Sequence, residues 1–173
     1  PKREGDPYPD KELAGVGVAF KILQGLLLRS GSNVKKADEW LDLVALGTVA
    51  DIVPLTGENR VMVKKGLLKI RTGTRIGLNA LAGVAQKSIY QVSATDIGFI
   101  LGPRLNAAGR MESALQAYDL LISRDLQEAG RLAQQLDGQN YERQQSTRRA
   151  QEKAQQEIGD PEGLRIIFSF EEE

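Results

Sequence analysis

From Asp125 to Glu157 the sequence runs DLQEAGRLAQQLDGQNYERQQSTRRAQEKAQQE, and only Gly130 and Gly138 in it oppose a helix. Such a span far exceeds the roughly 12 residues of an average helix. Its two halves differ. Leu126, Ala129, Leu132, Ala133 and Leu136 put an apolar stripe on one face, whereas the second half is rich in Gln, Arg and Glu, with only small apolar residues such as Ala150 and Ala154. A helix that is apolar on one face at its start and then polar all round is expected to connect two domains through solvent. The residues after it fit that expectation. Gly159-Asp160-Pro161-Glu162-Gly163 reads as a loop, and Leu164-Arg165-Ile166-Ile167-Phe168-Ser169-Phe170 as a strand. A single strand cannot satisfy its own ladder groups, so it is expected to open a further domain.

Before the long helix the periodicity is also helical. Leu13, Val16, Val18, Phe20, Leu23, Leu26 and Leu27 recur near a 3.6-residue period, with Asp10 as the expected N-cap and Ser30-Gly31-Ser32-Asn33 as the stop. Gly15 and Gly17 weaken that helix, which suggests a close backbone approach to a neighbour. Trp40 to Leu46 is apolar, and the run Val49 to Leu55 is too short to assign. Thr56 to Asn59 reads as a turn and cap before an amphipathic helix that turns Lys64, Lys65 and Lys69 outward and is closed by Gly73. Short helices are expected over Leu78–Val84, Thr95–Leu101 and Ala114–Ile122, the second opened by a capping-box spacing at Ser93–Asp96.

The 173 residues suit one domain or slightly more. Lys plus Arg and Asp plus Glu number 23 each, so affinity for nucleic acid would have to come from local patches. There is no cysteine and no histidine. Disulfides, thiolate metal sites, His-based triads and most zinc chemistry are therefore excluded for these residues, leaving carboxylate, hydroxyl, Arg and Lys chemistry. No apolar run approaches the roughly 20 residues of a membrane span, and a cytoplasmic location with no membrane partner is expected.

Two places carry chemistry. Asp51 stands among apolar neighbours in Leu46-Gly47-Thr48-Val49-Ala50-Asp51-Ile52-Val53-Pro54-Leu55, where it reads either as a cap or as an oxygen ligand for a hard divalent metal. Its neighbours Val49 and Ile52 are expected to be core positions. In Leu101-Gly102-Pro103-Arg104-Leu105-Asn106-Ala107-Ala108-Gly109-Arg110-Met111, two arginines and an asparagine sit among small residues. Such a donor cluster suits phosphate oxygens, and equally a loop whose arginines pair with Asp96 or Asp119. On the long helix Arg143, Arg148, Arg149 and Lys153 are interleaved with Glu142, Glu152 and Glu157, a mixture that reads more as a solvated face than as a nucleic-acid track.

Glu12 to Lys21, Ala45 to Leu55, Gly57-Glu58-Asn59-Arg60, Gly102 to Met111 and Asn140-Tyr141-Glu142-Arg143-Gln144, in this order along nearly the whole chain, resemble the RecJ-type 5′-to-3′ single-stranded-DNA exonucleases of the DHH phosphoesterase family. The resemblance implies a mainly α piece: the helix-rich latter part of an α/β catalytic domain over residues 1–123, a connecting helix over 124–158, and the loop and first strand of a truncated following domain over 159–173. It implies Mn2+ or Mg2+ in the intact enzyme, with Asp51 as the family's last metal-binding aspartate, catalytic through that metal, and Arg104, Asn106 and Arg110 near the substrate phosphates. Single-stranded DNA is the implied partner; no protein partner is indicated. The family's Asp-His-His motif and remaining ligand aspartates are expected before Pro1, so the chain alone is expected to be inactive. A small-nucleotide phosphodiesterase of the same family and a non-catalytic helical binding module are the alternative readings.

Overall fold

The computed structural model describes residues 1–111 and 114–158, with side chains for all of these except 108–111 and 157–158. Every regular element among the described residues is helical. The order is α1 (Gly15–Arg29), a 3-10 segment (Val34–Trp40), α2 (Leu41–Ala50), α3 (Gly57–Ile70), α4 (Ile76–Val84), a short 3-10 turn (Ile89–Gln91), the single turn α5 (Ala94–Asp96), a π-helical turn (Ile97–Leu101), α6 (Gly102–Met111), α7 (Ala114–Ile122) and α8 (Leu126–Ile158). The expected strand over 164–170 lies outside the described residues.

The larger core is built where α2, α3, α4, α7 and the first half of α8 converge, around Leu46, Val63, Leu78, Leu81, Leu120 and Leu136. A smaller one joins Leu13 and Phe20 of the N-terminal segment and α1 to Leu41, Val44 and Met62. Ala129, Leu132, Ala133 and Leu136 bury the stripe expected for the start of α8. Beyond Asn140 that helix is mostly exposed, as its Gln, Arg and Glu content requires.

Two glycines set how closely the helices approach. A Cβ on Gly66 would lie 2.1 Å from the Leu41 carbonyl oxygen and 2.4 Å from the Ala45 Cβ, so α3 rests directly on the backbone of α2. One on Gly77 would lie 1.9 Å from the Leu120 carbonyl oxygen, which seats α4 on α7 in the same way. Backbone cannot rotate aside as a side chain can. Gly66→Ala should therefore cost about 2–3 kcal/mol, the upper part of the overpacking range. The urea midpoint of the chain reads this directly, and a loss under about 0.5 kcal/mol would mean the helices part without penalty.

Several local expectations need correction. Asp10 does not cap α1, whose N-cap is Ala14 without a side-chain bond. Its carboxylate instead accepts from Glu12 N at 3.1 Å and, across the fold, from Glu58 N at 3.0 Å, so it caps α3. Of the two early glycines only Gly17 meets a neighbour, with a Cβ site 3.2 Å from Met62 Cε; Gly15 faces open space. The Gly102–Met111 segment is a helix rather than a loop. The Ser93–Asp96 capping box is present, but the helix after it passes through a π turn. Ile52 is not a core residue: it is 90% exposed with φ +55°, while Val49 does pack on the larger core.

Candidate catalytic carboxylate and the neighbouring helix face

Asp51 terminates α2. Its backbone amide donates to Gly47 O, it has φ −77°, and its carboxylate is exposed, with no cation against it among the described residues. The cost of burying a charge therefore does not arise at this position. A capping benefit does not arise either, because a carboxylate at a helix C-terminus opposes the macrodipole, an effect of about 0.3–1 kcal/mol. The next residue, Ile52, is β-branched, holds a left-handed φ and exposes nearly its whole side chain. Each of these features is locally unfavourable. Together they hold one carboxylate out of the fold at a fixed turn.

The start of α6 lies against that turn. A Cβ on Gly98 would sit 3.7 Å from Val49 Cγ1, and one on Gly102 3.6 Å from Ala50 Cβ, the residue before Asp51. Asn106 is one helical turn beyond Gly102 and exposed, so it continues the same face of α6. Arg110 follows one turn later, with its side chain outside what is described. Arg104 projects elsewhere. Its Nε donates to Asp137 Oδ1 at 2.7 Å and Nη1 to Ile100 O at 2.8 Å, which ties α6 to α8. Neither Asp96, engaged by Ser93 and Lys87, nor Asp119 is its partner. The structure thus brings Asp51 and the Gly102–Asn106 face together and sends the Arg104 fork to the connecting helix.

The sequence reads Thr56 to Asn59 as a turn and cap; in the structure Gly57 already opens α3, whose N-cap Thr56 makes no side-chain bond, and Glu58 and Asn59 have structural roles. Asn59 is fully buried, and its Nδ2 donates to Glu12 O at 2.7 Å and Pro54 O at 3.1 Å, pinning the loop that follows Asp51. Glu58 receives the Tyr8 hydroxyl and pairs with Lys21, fastening the N-terminal segment to α1 and α3. Burial by itself would raise the Glu58 pKa, but the Lys21 and Tyr8 bonds and the Lys21 charge outweigh it and hold the carboxyl below its usual range. Burial and the Glu58 carboxylate push the Tyr8 hydroxyl up to about 12. The Ser93 hydroxyl and amide lower Asp96.

Depressed carboxyls stabilise the fold above their ordinary values, and that stability is lost as pH falls through the lower folded ones. The margin of the native chain over Glu58→Gln should accordingly be present at pH 7 and shrink as the pH drops below about 4.5, the ordinary Glu value. Melting curves across that range read it. A margin independent of pH would mean the Lys21 and Tyr8 contacts do not favour the ionised form.

A second polar cluster is structural. Asp42, 2% exposed, accepts from Arg75 through Nε at 2.6 Å and Nη2 at 3.1 Å; Arg75 also donates to Leu121 O at 2.9 Å and lies over the Trp40 ring. Nothing in the spacing signalled it, since Asp42 and Arg75 are 33 positions apart.

Among the described residues no group of three or more acidic side chains could hold a metal ion, and no helix is long and apolar enough to cross a membrane. No protein-family model matches the chain. The single-stranded-DNA-specific exonuclease RecJ of Bacillus subtilis (strain 168) is 47% identical over 144 residues, which cover 83% of this chain and 18% of that protein. A crystal structure of exonuclease RecJ bound to manganese superposes with a TM-score of 0.80 at 36% identity, covering 91% of this chain and 40% of the other. The crystal structure of RecJ from Thermus thermophilus in complex with Mg2+ gives 0.76 at 36% identity, over 86% and 23% of the two chains. This chain therefore spans less than half the length of each of these proteins.

Proposed function

Given that the chain belongs to the RecJ family of single-stranded-DNA-specific exonucleases, we propose that it is the segment supplying Asp51 as one ligand of a divalent-metal site in a protein that hydrolyses single-stranded DNA. The observation that carries this is the Asp51 turn: an exposed carboxylate, unpaired among the described residues, where helix dipole and backbone both disfavour it, beside the α6 face that carries Asn106. Residues held against local preference are where function is expected. Mn2+ or Mg2+, hard cations that take oxygen ligands, would suit the carboxylate, and such a metal would supply activation of water and stabilisation of charge on the phosphodiester. One carboxylate does not hold a divalent metal by itself, so the described residues contribute a ligand rather than a site.

In this reading residues 1–123 are the latter part of a DHH catalytic domain and 124–158 the connecting helix. Asn106 and Arg110, successive turns on α6, meet the substrate phosphates. Arg104 joins them only if a phosphate replaces Asp137 on its fork; otherwise it is the strut that fixes α6. The proposed setting is the cytoplasm, with single-stranded DNA as substrate.

The reading is tested by incubating end-labelled single-stranded DNA and Mn2+ with the chain and, in parallel, with the full-length protein that contains it. Shortening by the full-length protein and none by the chain is the expected result. Metal-dependent shortening by the chain alone, abolished by Asp51→Ala, would show that no further ligands are needed and would overturn the division of the site.

A further inference from the structure

Although the chain is neutral overall, α3 is not. It carries Arg60, Lys64, Lys65 and Lys69, with Arg71 at its C-cap, against the single acid Glu58, which Lys21 and Tyr8 already occupy. Arg60, Lys64 and Arg71 fall at i, i+4 and i+11, one face of the helix, and extend over about 16 Å of its axis. They line a groove of about 350 Å³ whose remaining walls are apolar, including Leu55, Leu68 and Ala94, with no carboxylate among the lining residues. On α8, by contrast, Arg131 pairs with Glu128 and Arg148 with Glu152. Among the described residues no carboxylate pairs with Arg60, Lys64 or Arg71.

Two further features distinguish the groove from a solvated lysine face. Arg71 is half-buried and fixed by its Nε bond to Val92 O at 2.9 Å, so its guanidinium is held in place rather than free in solvent. Leu55, at one end, belongs to the loop that starts at Asp51 and is pinned through Pro54 by Asn59. The groove thus borders the loop that carries the candidate metal ligand at its other end, four positions earlier in the chain. We propose that it is a binding track for the sugar-phosphate backbone of a nucleic-acid strand running to or from Asp51, with Arg60, Lys64 and Arg71 on successive phosphates and the apolar wall against sugars and base edges. This rests on the proposed function for its position relative to cleavage. An acidic peptide would meet the same charge, but nothing about it would require the groove to border the loop that follows Asp51.

The test is equilibrium binding of fluorescein-labelled oligothymidylate to the full-length protein in EDTA, from low to high salt. The variants are Arg60→Gln, Lys64→Gln and the double substitution, which keep much of the aliphatic stems, with melting temperature as a check on the fold. Neutralised phosphates release counterions, so each single variant should lower the slope of log affinity against log salt by about 0.7, and the double by about 1.4, with little dependence on base sequence. Unchanged slopes in folded variants would overturn the proposal. So would weakened binding of a labelled polyglutamate peptide with undiminished DNA binding, which would assign the groove to a protein partner. The two ideas fail separately. Slopes that drop in a protein unable to cleave DNA in Mn2+ would sink the proposed function and leave the track standing, whereas normal cleavage with unchanged slopes would do the reverse.

Discussion

Full-length protein carrying Asp51→Asn is expected to lose at least about 100-fold in metal-dependent cleavage of single-stranded DNA while melting at the same temperature or slightly above it. The activity loss follows from removing an anionic ligand, since the metal's charge stabilisation is worth several kcal/mol and about 2.7 kcal/mol is already a factor of 100. The stability expectation comes from the turn itself. Among the described residues the Asp51 carboxylate has no partner that asparagine would forfeit, and neutralising a charge at the C-terminus of α2 relieves its repulsion from the helix dipole. A destabilised variant would make Asp51 structural, and a fully active one would remove it from the site. Truncating Val49, its half-buried neighbour, should lower stability instead.

Asp42→Ala should have the largest effect on the fold, about 3–5 kcal/mol. The Asp42 side chain is almost fully enclosed and Arg75 largely so, with the pair joined by two bonds. Removing the carboxylate strands a half-buried guanidinium whose other contacts, to Leu121 O and the Trp40 ring, hold it in place. The same cluster joins the start of α2 to the start of α4 and the end of α7, so its loss loosens the frame that positions Asp51. Replacing both partners with apolar residues of similar volume should recover much of the loss, because no buried charge then remains unmatched. Urea unfolding of the single and double variants decides this, and a single-variant loss below about 1 kcal/mol would show that Arg75 swings out to water.

What could be read from the sequence was what repeats locally. The α8 stripe and its polar continuation, the limits of α7 and the Ser93–Asp96 capping box depend on residues within a few positions of one another, and the structure has them as expected. Contacts made at a distance were not legible. Asp10 was assigned to the helix it precedes because a cap usually serves its own helix; it serves α3, 48 positions away. Gly66 and Gly77 look like ordinary helix weaknesses until the backbones of Leu41 and Leu120 are seen against them. Ile52 reads as core by type, and only the left-handed turn after Ala50 puts it in solvent. The same limit applies at the candidate site. Asp51 stood out because it interrupts an apolar run, but the partner of Arg104, Asp137, is 33 positions away and had no local signal.

The most direct test of Asp51 as a metal ligand is isothermal titration of Mn2+ into the full-length protein and its Asp51→Asn variant, without DNA, so that no effect on substrate enters. Loss of a ligand should abolish one binding event or weaken Mn2+ at least about 10-fold, since even partners in the outer shell of a metal site are worth 10–100-fold in affinity. Identical stoichiometry and affinity for the two proteins would contradict the assignment of Asp51 to the metal.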